Sequence, residues 1–291
     1  MDYLATFRNL IPKLRPRRIA GVGFSFTLGL VALLSVPSAY GEHVPIRDIV
    51  LVNDSLTDNK SWNAVTPPLE KKGYKVTVVA LPLTSLKDDV DIVEQTLASL
   101  KAPVLLVGHG YGGIVITEAG SNAKVAGLVY IAAYAPDVNQ SAEELMKQFP
   151  STPGTAELHH SGSGQLVLTA KGVEEDLAQD LSAADKADLV SSQRPVAGQI
   201  FSTPLNRAAW HHKPSWFIVA TNDRIISPQL ERDRAKTMHA KVTILQSGHV
   251  PMLSRPAKVA DVIESAASGR FKYKPVLLGI GTMGMSVPFY H

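Results

Sequence analysis

Val104-Leu105-Leu106-Val107-Gly108-His109-Gly110-Tyr111-Gly112-Gly113 is the stretch that decides the fold. Four apolar residues make a buried strand, and the small residues after them permit a sharp turn into a helix that starts near Ile114. The same grammar recurs outward in both directions. Ile49-Val50-Leu51-Val52 reads as a strand ending in the turn cluster Asn53-Asp54-Ser55. Trp62, Val65 and Leu69 share one face of a helical stretch closed by Gly73, and Lys75–Val79 is a second strand. Val90, Val93, Leu97 and Leu100 set a helix between Asp88 and Leu100. Leu128–Ala132, Trp216–Ala220 and Val242–Leu245 are further strands, and Ala257–Ala267 is a helix. Strands that are apolar throughout, alternating with helices, predict an α/β fold. Its doubly wound, mostly parallel sheet is covered on both faces.

The alternation lapses between residues 137 and 212, where apolar runs shorten and Ser161-Gly162-Ser163-Gly164 appears. This segment is read as an inserted, mostly helical lid, with helical pieces near 141–148 and 174–190. The core is then 42–136 with 213–268, and residues 269–291 form an aperiodic extension.

The chain has 291 residues and no cysteine, which excludes disulfides, Cys-based zinc sites and thiol nucleophiles. Its net charge of +3 is concentrated at the start. Lys13, Arg15, Arg17 and Arg18 precede an uncharged run over residues 19–36 and then Pro37-Ser38-Ala39-Tyr40-Gly41. That order predicts a signal for export, to the periplasm or outside the cell, cleaved before Glu42. The alternative is an uncleaved membrane anchor over 19–36. Without residues 1–41 the chain carries 24 basic and 25 acidic residues, so no nucleic-acid partner is expected. Membrane contact is expected only through the N-terminal segment.

Two motifs overlap in the Gly-rich turn. Gly108, Gly110 and Gly113 spell the dinucleotide fingerprint, but at least two strands precede it, whereas that fingerprint belongs on the first strand of its unit. The other motif is the nucleophile elbow, G-x-S-x-G, with Gly110 where serine would stand.

The chain resembles the α/β-hydrolase superfamily, and within it the small esterase and hydroxynitrile-lyase-like group. The carriers are Leu51-Val52, Asp58 with Ser61-Trp62, Gly73-Tyr74-Lys75-Val76, Leu106-Val107-Gly108-His109 with Tyr111-Gly112-Gly113, Ala135-Pro136-Asp137, and Ser247-Gly248-His249-Val250-Pro251 through Pro256. The resemblance implies a general-base histidine at His249, oriented by the carboxylate of Asp223, with a serine nucleophile. Here Gly110 marks the missing nucleophile. The group's His-Gly at the end of the first strand is replaced by Asn53-Asp54, which puts a negative charge where an oxyanion would develop. Tyr111, Asn53, Asp54 and Ser55 are the expected oxyanion and pocket residues, and Ser55 is read foremost as a turn former.

Three functions follow. The first is a hydrolase relative without serine chemistry that binds a small apolar molecule. The second is a cofactor-free enzyme using His249 and Asp223 as a general base. The third is a dinucleotide enzyme built on Gly108, Gly110 and Gly113. No cofactor and no metal are expected: His159-His160 and His211-His212 sit in polar loops without partners at metal-binding spacing.

Overall fold

The computed structural model describes residues 45–101, 103–161 and 165–269. The expected N-terminal signal or anchor and the C-terminal extension, apart from Gly269, lie outside the described residues. In chain order the strands are β1 (Asp48–Val52), β2 (Lys75–Val79), β3 (Val104–Gly110) and β4 (Val125–Ala133). The insertion carries β5 (Leu158–His160), β6 (Gln165–Leu168) and β7 (Val196–Ala197), followed by β8 (Ser215–Ala220) and β9 (Lys241–Leu245). Six of them form one sheet in the order β2-β1-β3-β4-β8-β9, every pairing parallel.

Period-two alternation divides the central strands between two cores. Val50, Val52, Val104 and Leu106 pack on one face with helix α2 (Leu86–Ser99) and helix α3 (Gly112–Ala119), which follow helix α1 (Thr66–Lys71) in the chain. Ile49, Leu51, Leu105 and Val107 pack on the other with Trp62, Leu69 and the helix Pro256–Ala267. Among the described residues of this sheet, exposed side chains lie on the edge strands β2 and β9: Ile244 on β9 is 60% exposed.

The chain runs from β1 outward to β2, then returns to β3 on the other side of β1. The carboxyl ends of β1 and β3 are therefore neighbours at the point where the strand order reverses, the place where open α/β sheets bind ligands. Asn53-Asp54 leaves β1 there and Gly110-Tyr111 leaves β3.

The insertion is less helical than its sequence predicts. It holds short helices, including Ala142–Met146, Ala183–Ser191 and Gln199–Ser202, together with a three-stranded antiparallel sheet, β5-β6-β7. Three short strands with only Leu168 and Val196 well buried carry no apolar run long enough to signal a strand. The helix expected over 174–190 is split into a helical turn at Val173–Leu177 and a helix at Ala183–Ser191, whose N-cap Ser182 accepts the Asp185 N–H, and the connection between them holds core loops. Gln179 Nε2 donates to Asn222 O at 2.6 Å, and Asp180 Oδ2 accepts the Gly248 N–H at 2.9 Å.

Candidate functional site

Gly110 closes β3 with φ +54, the left-handed region that glycine enters without strain. A Cβ at this position would lie 2.3 Å from Asp54 Oδ1 and 2.4 Å from Asp54 Cγ. The carboxylate of Asp54, carried on the loop after β1, thus fills the slot that an elbow side chain would occupy. Gly112 begins α3 against the β1 backbone: a Cβ there would be 2.5 Å from Val52 O, which fixes how closely the two loops approach.

The two Asp54 oxygens have different partners. Oδ1 accepts the Tyr111 N–H at 2.7 Å, the backbone donor next to the elbow position. Oδ2 accepts the Leu56 N–H at 3.2 Å and faces His249 Nε2 at 3.4 Å. The last contact is longer than a charge-assisted hydrogen bond, so the Nε2 proton is not held tightly. On the far side of the ring, His249 Nδ1 lies 2.6 Å from Asp223 Oδ2. Asp223 divides its roles as well: its Oδ1 accepts the N–H groups of Ile225 and Ile226 at 2.7 and 2.8 Å, the Asx-type turn that Asn222-Asp223 favours.

Charge follows from this geometry. Burial alone would push the His249 imidazole down, but the carboxylates of Asp223 and Asp54 outweigh it and hold it up at about 10. Burial would push Asp54 up, but the His249 hydrogen bond and charge, with the Tyr111 N–H, hold it well below the usual carboxylate range. The resting site is an imidazolium between two carboxylates. That opposes the general-base alternative, which needs a neutral His249 at the start.

His109 lies under the ring, its centroid 4.7 Å from that of His249, with Nε2 2.8 Å from the His249 carbonyl oxygen. Burial, then the charge of His249, pushes it down to about 4, so it is neutral. With Nε2–H donating, its Nδ1 is a bare, buried acceptor. Donor atoms of Asp54, His109 and His249 lie within 4.8 Å of one another, the group among the described residues with donors spaced to hold a metal ion. A metal would have to displace the His249 proton. The sequence conceals this group because its members come from three distant segments.

The remaining expected residues fall around this centre. Asn53 is buried, accepts from Trp62 Nε1 and donates to Asn59, so it braces the loop from behind. Ser55 Oγ is 3.5 Å from Asp54 Oδ1. The Tyr111 hydroxyl donates to Asp89 Oδ2 at 2.7 Å, well away from the elbow. The dinucleotide reading loses its anion site, since a carboxylate already takes the N–H at the start of α3. His159, His160, His211 and His212 are exposed; His160 lines the cavity that opens on the site, and none of the four is among the grouped donors of Asp54, His109 and His249. Sequence reasoning missed Asp180 and Glu231. Glu231 is fully buried and accepts the Ala220 N–H at 2.8 Å, and burial, then the charge of Asp223, pushes its carboxyl well above the usual range.

A cavity of about 320 Å³ opens on the site. Asp54, Ser55 and His249 line it, with Leu56, Phe201 and Ile225 among the apolar walls, and Met146 and Phe201 come from the insertion.

The model of the alpha/beta hydrolase family matches residues 61–262. The chain belongs to that family. Methylesterase 8 of Arabidopsis thaliana is 25% identical over 263 residues, covering 82% of this chain and 95% of the relative. An alpha-hydroxynitrile lyase of the same plant is 25% identical over 252 residues, covering 75% and 96%. The crystal structure of a pyrethroid hydrolase from Sphingobium faniae superposes with a TM-score of 0.67 at 22% identity, covering 76% of this chain and 97% of that one. These relatives place the chain in the esterase-like group, and the six-stranded sheet has that family's architecture.

Proposed function

We propose that this family member binds a small apolar molecule in the cavity beside His249 and has no serine-type esterase activity. One observation carries the reading: the slot of the missing nucleophile is filled by the Asp54 carboxylate, which also takes the Tyr111 N–H. A serine hydrolase needs a hydroxyl in that slot and a free N–H for the developing oxyanion. Here one anionic group replaces both. The Ser55 hydroxyl, beside the slot, has its contact with Asp54, and the site provides no neutral imidazole to activate it. The largely apolar walls suit an uncharged ligand of modest size. Two assays test this. A fluorophosphonate probe is expected to leave the protein unlabelled, and an environment-sensitive apolar dye is expected to bind and to be displaced by small uncharged aromatics. Labelling that maps to any serine, or a dye signal unchanged by Phe201→Trp, overturns it.

A further inference from the structure

Asp54 is an unusual occupant for the elbow slot. A side chain recruited only to plug a hole would be apolar, because an ionised carboxylate buried without purpose is costly. What it faces is unusual too. His249 Nε2 is buried, turned toward Asp54 Oδ2 at 3.4 Å, and makes no hydrogen bond. His109 beneath it is fully buried, and its Nδ1 makes none either. Three distant segments thus bring together one carboxylate and two imidazoles, with donor atoms within 4.8 Å of one another.

We infer that Asp54, His109 and His249 form a binding site for one zinc ion, whose fourth corner faces the cavity and takes an oxygen donor on a small, otherwise apolar ligand. The ligand half of this inference rests on the reading of the cavity as a small-molecule site; the metal half does not.

Spacing selects the geometry. Zinc holds nitrogen and oxygen ligands at about 2.0–2.1 Å, so neighbouring corners of its tetrahedron stand about 3.3 Å apart. The 3.4 Å between His249 Nε2 and Asp54 Oδ2 matches that edge and is too long for a charge-assisted hydrogen bond. Octahedral neighbours at the same bond length would stand closer, at about 2.9 Å. The other separations reach 4.8 Å at most, so a side-chain shift of about 1.5 Å brings the third donor in.

The hydrogen bonds around the cluster are those that metal ligands use. A ligating histidine gives its other ring N–H to a carboxylate or a backbone carbonyl, and a ligating carboxylate is itself hydrogen-bonded. His249 Nδ1 lies 2.6 Å from Asp223 Oδ2, and His109 Nε2 lies 2.8 Å from the His249 carbonyl oxygen. Asp54 accepts the N–H groups of Tyr111 and Leu56. Each side chain is oriented from behind and keeps a donor atom for an ion, which on His249 takes the place of the Nε2 proton. Charge agrees with this: Asp54 and Asp223 bring two negative charges, which one divalent ion between neutral imidazoles balances. Two imidazoles with one carboxylate are a zinc donor set that leaves a corner for a further ligand. Asp54 and His249 line the cavity with Leu56 and Phe201, so that ligand comes from an apolar chamber. Gly110 fits as well. A Cβ there would lie 2.3 Å from Asp54 Oδ1, so glycine is what lets the carboxylate reach the histidines.

The test uses the full protein without a polyhistidine tag, stripped with a chelator and titrated with Zn²⁺ or Co²⁺. One equivalent of Zn²⁺ is expected to bind, with X-ray absorption showing nitrogen and oxygen ligands at about 2.0–2.1 Å, two of them imidazoles. Co²⁺ is expected to give the intense visible bands of a tetrahedral ion, and benzohydroxamate to shift them. Asp54→Ala and His109→Gln are each expected to lose stoichiometric uptake, and Asp223→Asn to weaken it by about 10–100-fold. His211→Ala with His212→Ala should leave it unchanged. The wild-type absorption spectrum decides even if a variant fails to fold: six-coordinate zinc, or fewer than two imidazoles, overturns the site. Uptake below one equivalent in the wild type, or uptake retained in Asp54→Ala and His109→Gln, overturns it too. If the apolar dye binds the stripped protein and no ion is taken up, the metal site fails while the cavity reading stands. If the ion binds and neither dye nor benzohydroxamate does, the ligand half falls with the cavity reading and the three zinc ligands stand.

Discussion

Gly110→Ala would place a methyl group 2.3 Å from Asp54 Oδ1 on a backbone at φ +54. Crowding and backbone strain together are expected to cost about 2–4 kcal/mol in chemical denaturation. Asp54→Gly in the same chain removes the crowding, so the double variant should be more stable than the sum of the single effects by at least about 1 kcal/mol. Simple additivity would mean that the two positions do not share a slot. Protonation at the same site gives a second expectation. Folded His249 titrates near 10 against 6.5 for a free imidazole, so between those values the folded chain keeps a proton that the unfolded chain has lost. Its contribution to stability is full below 6.5 and is lost as pH rises through about 10. Asp54 has the opposite sign: its contribution is present above its ordinary 3.8 and is lost only as pH falls into strong acid. Urea denaturation from pH 6.5 upward should therefore show stability falling by up to about 1.4 kcal/mol per pH unit from this one proton. Asp54→Asn should flatten that fall, and a slope unchanged in the variant would contradict the ion pair.

At the scale of elements, the loops that carry Asp223 and His249 are held from the insertion. Asp180 accepts the Gly248 N–H, and Gln179 reaches the carbonyl of Asn222. Asp180→Ala leaves a partly buried N–H without its partner. It is expected to cost about 1–2 kcal/mol and to weaken dye binding in the cavity, measured by denaturation and fluorescence titration. Equal dye affinity in the variant would place the insertion outside the site's support. The same elements show why the sequence is readable in some places and not in others. β1, β3, β4 and β8 are buried on both faces, so their apolar runs declare them. β5, β6 and β7 have two to four residues each and are mostly exposed or half-buried, so their pairing depends on tertiary contacts that no local pattern records. The helix read over 174–190 divides at Ser182, which caps Ala183–Ser191 by accepting the Asp185 N–H.

For the whole molecule, the order of basic, apolar and small residues over 13–41 leads to the expectation of export. Mass spectrometry of the protein recovered from a host that secretes it should find an N-terminus near Glu42, and an intact Met1 on cytosolic protein would contradict this. The site was legible in the sequence as a set of positions. Gly110 stood in a turn frame, His249 and Asp223 in loops after strands, and Asn53-Asp54 at the end of the first strand. What could not be read was that Asp54 enters the space above Gly110. That depends on β1 and β3 being sheet neighbours with their ends in register, Val52 opposite Gly108, a relation between segments more than fifty residues apart. The metal-competent grouping of Asp54, His109 and His249 was hidden for the same reason.

The central claim, that a carboxylate from β1 has taken the nucleophile's place, is tested most directly by fluorophosphonate labelling of a repair series. Wild-type protein should be unlabelled. Gly110→Ser alone should label little, because its Cβ meets the Asp54 carboxylate and the Tyr111 N–H remains occupied. Gly110→Ser with Asn53→His and Asp54→Gly should label measurably, since His249 and Asp223 remain paired to activate the new hydroxyl. Strong labelling of the wild type, lost in His249→Ala, would contradict the account and point first to Ser55.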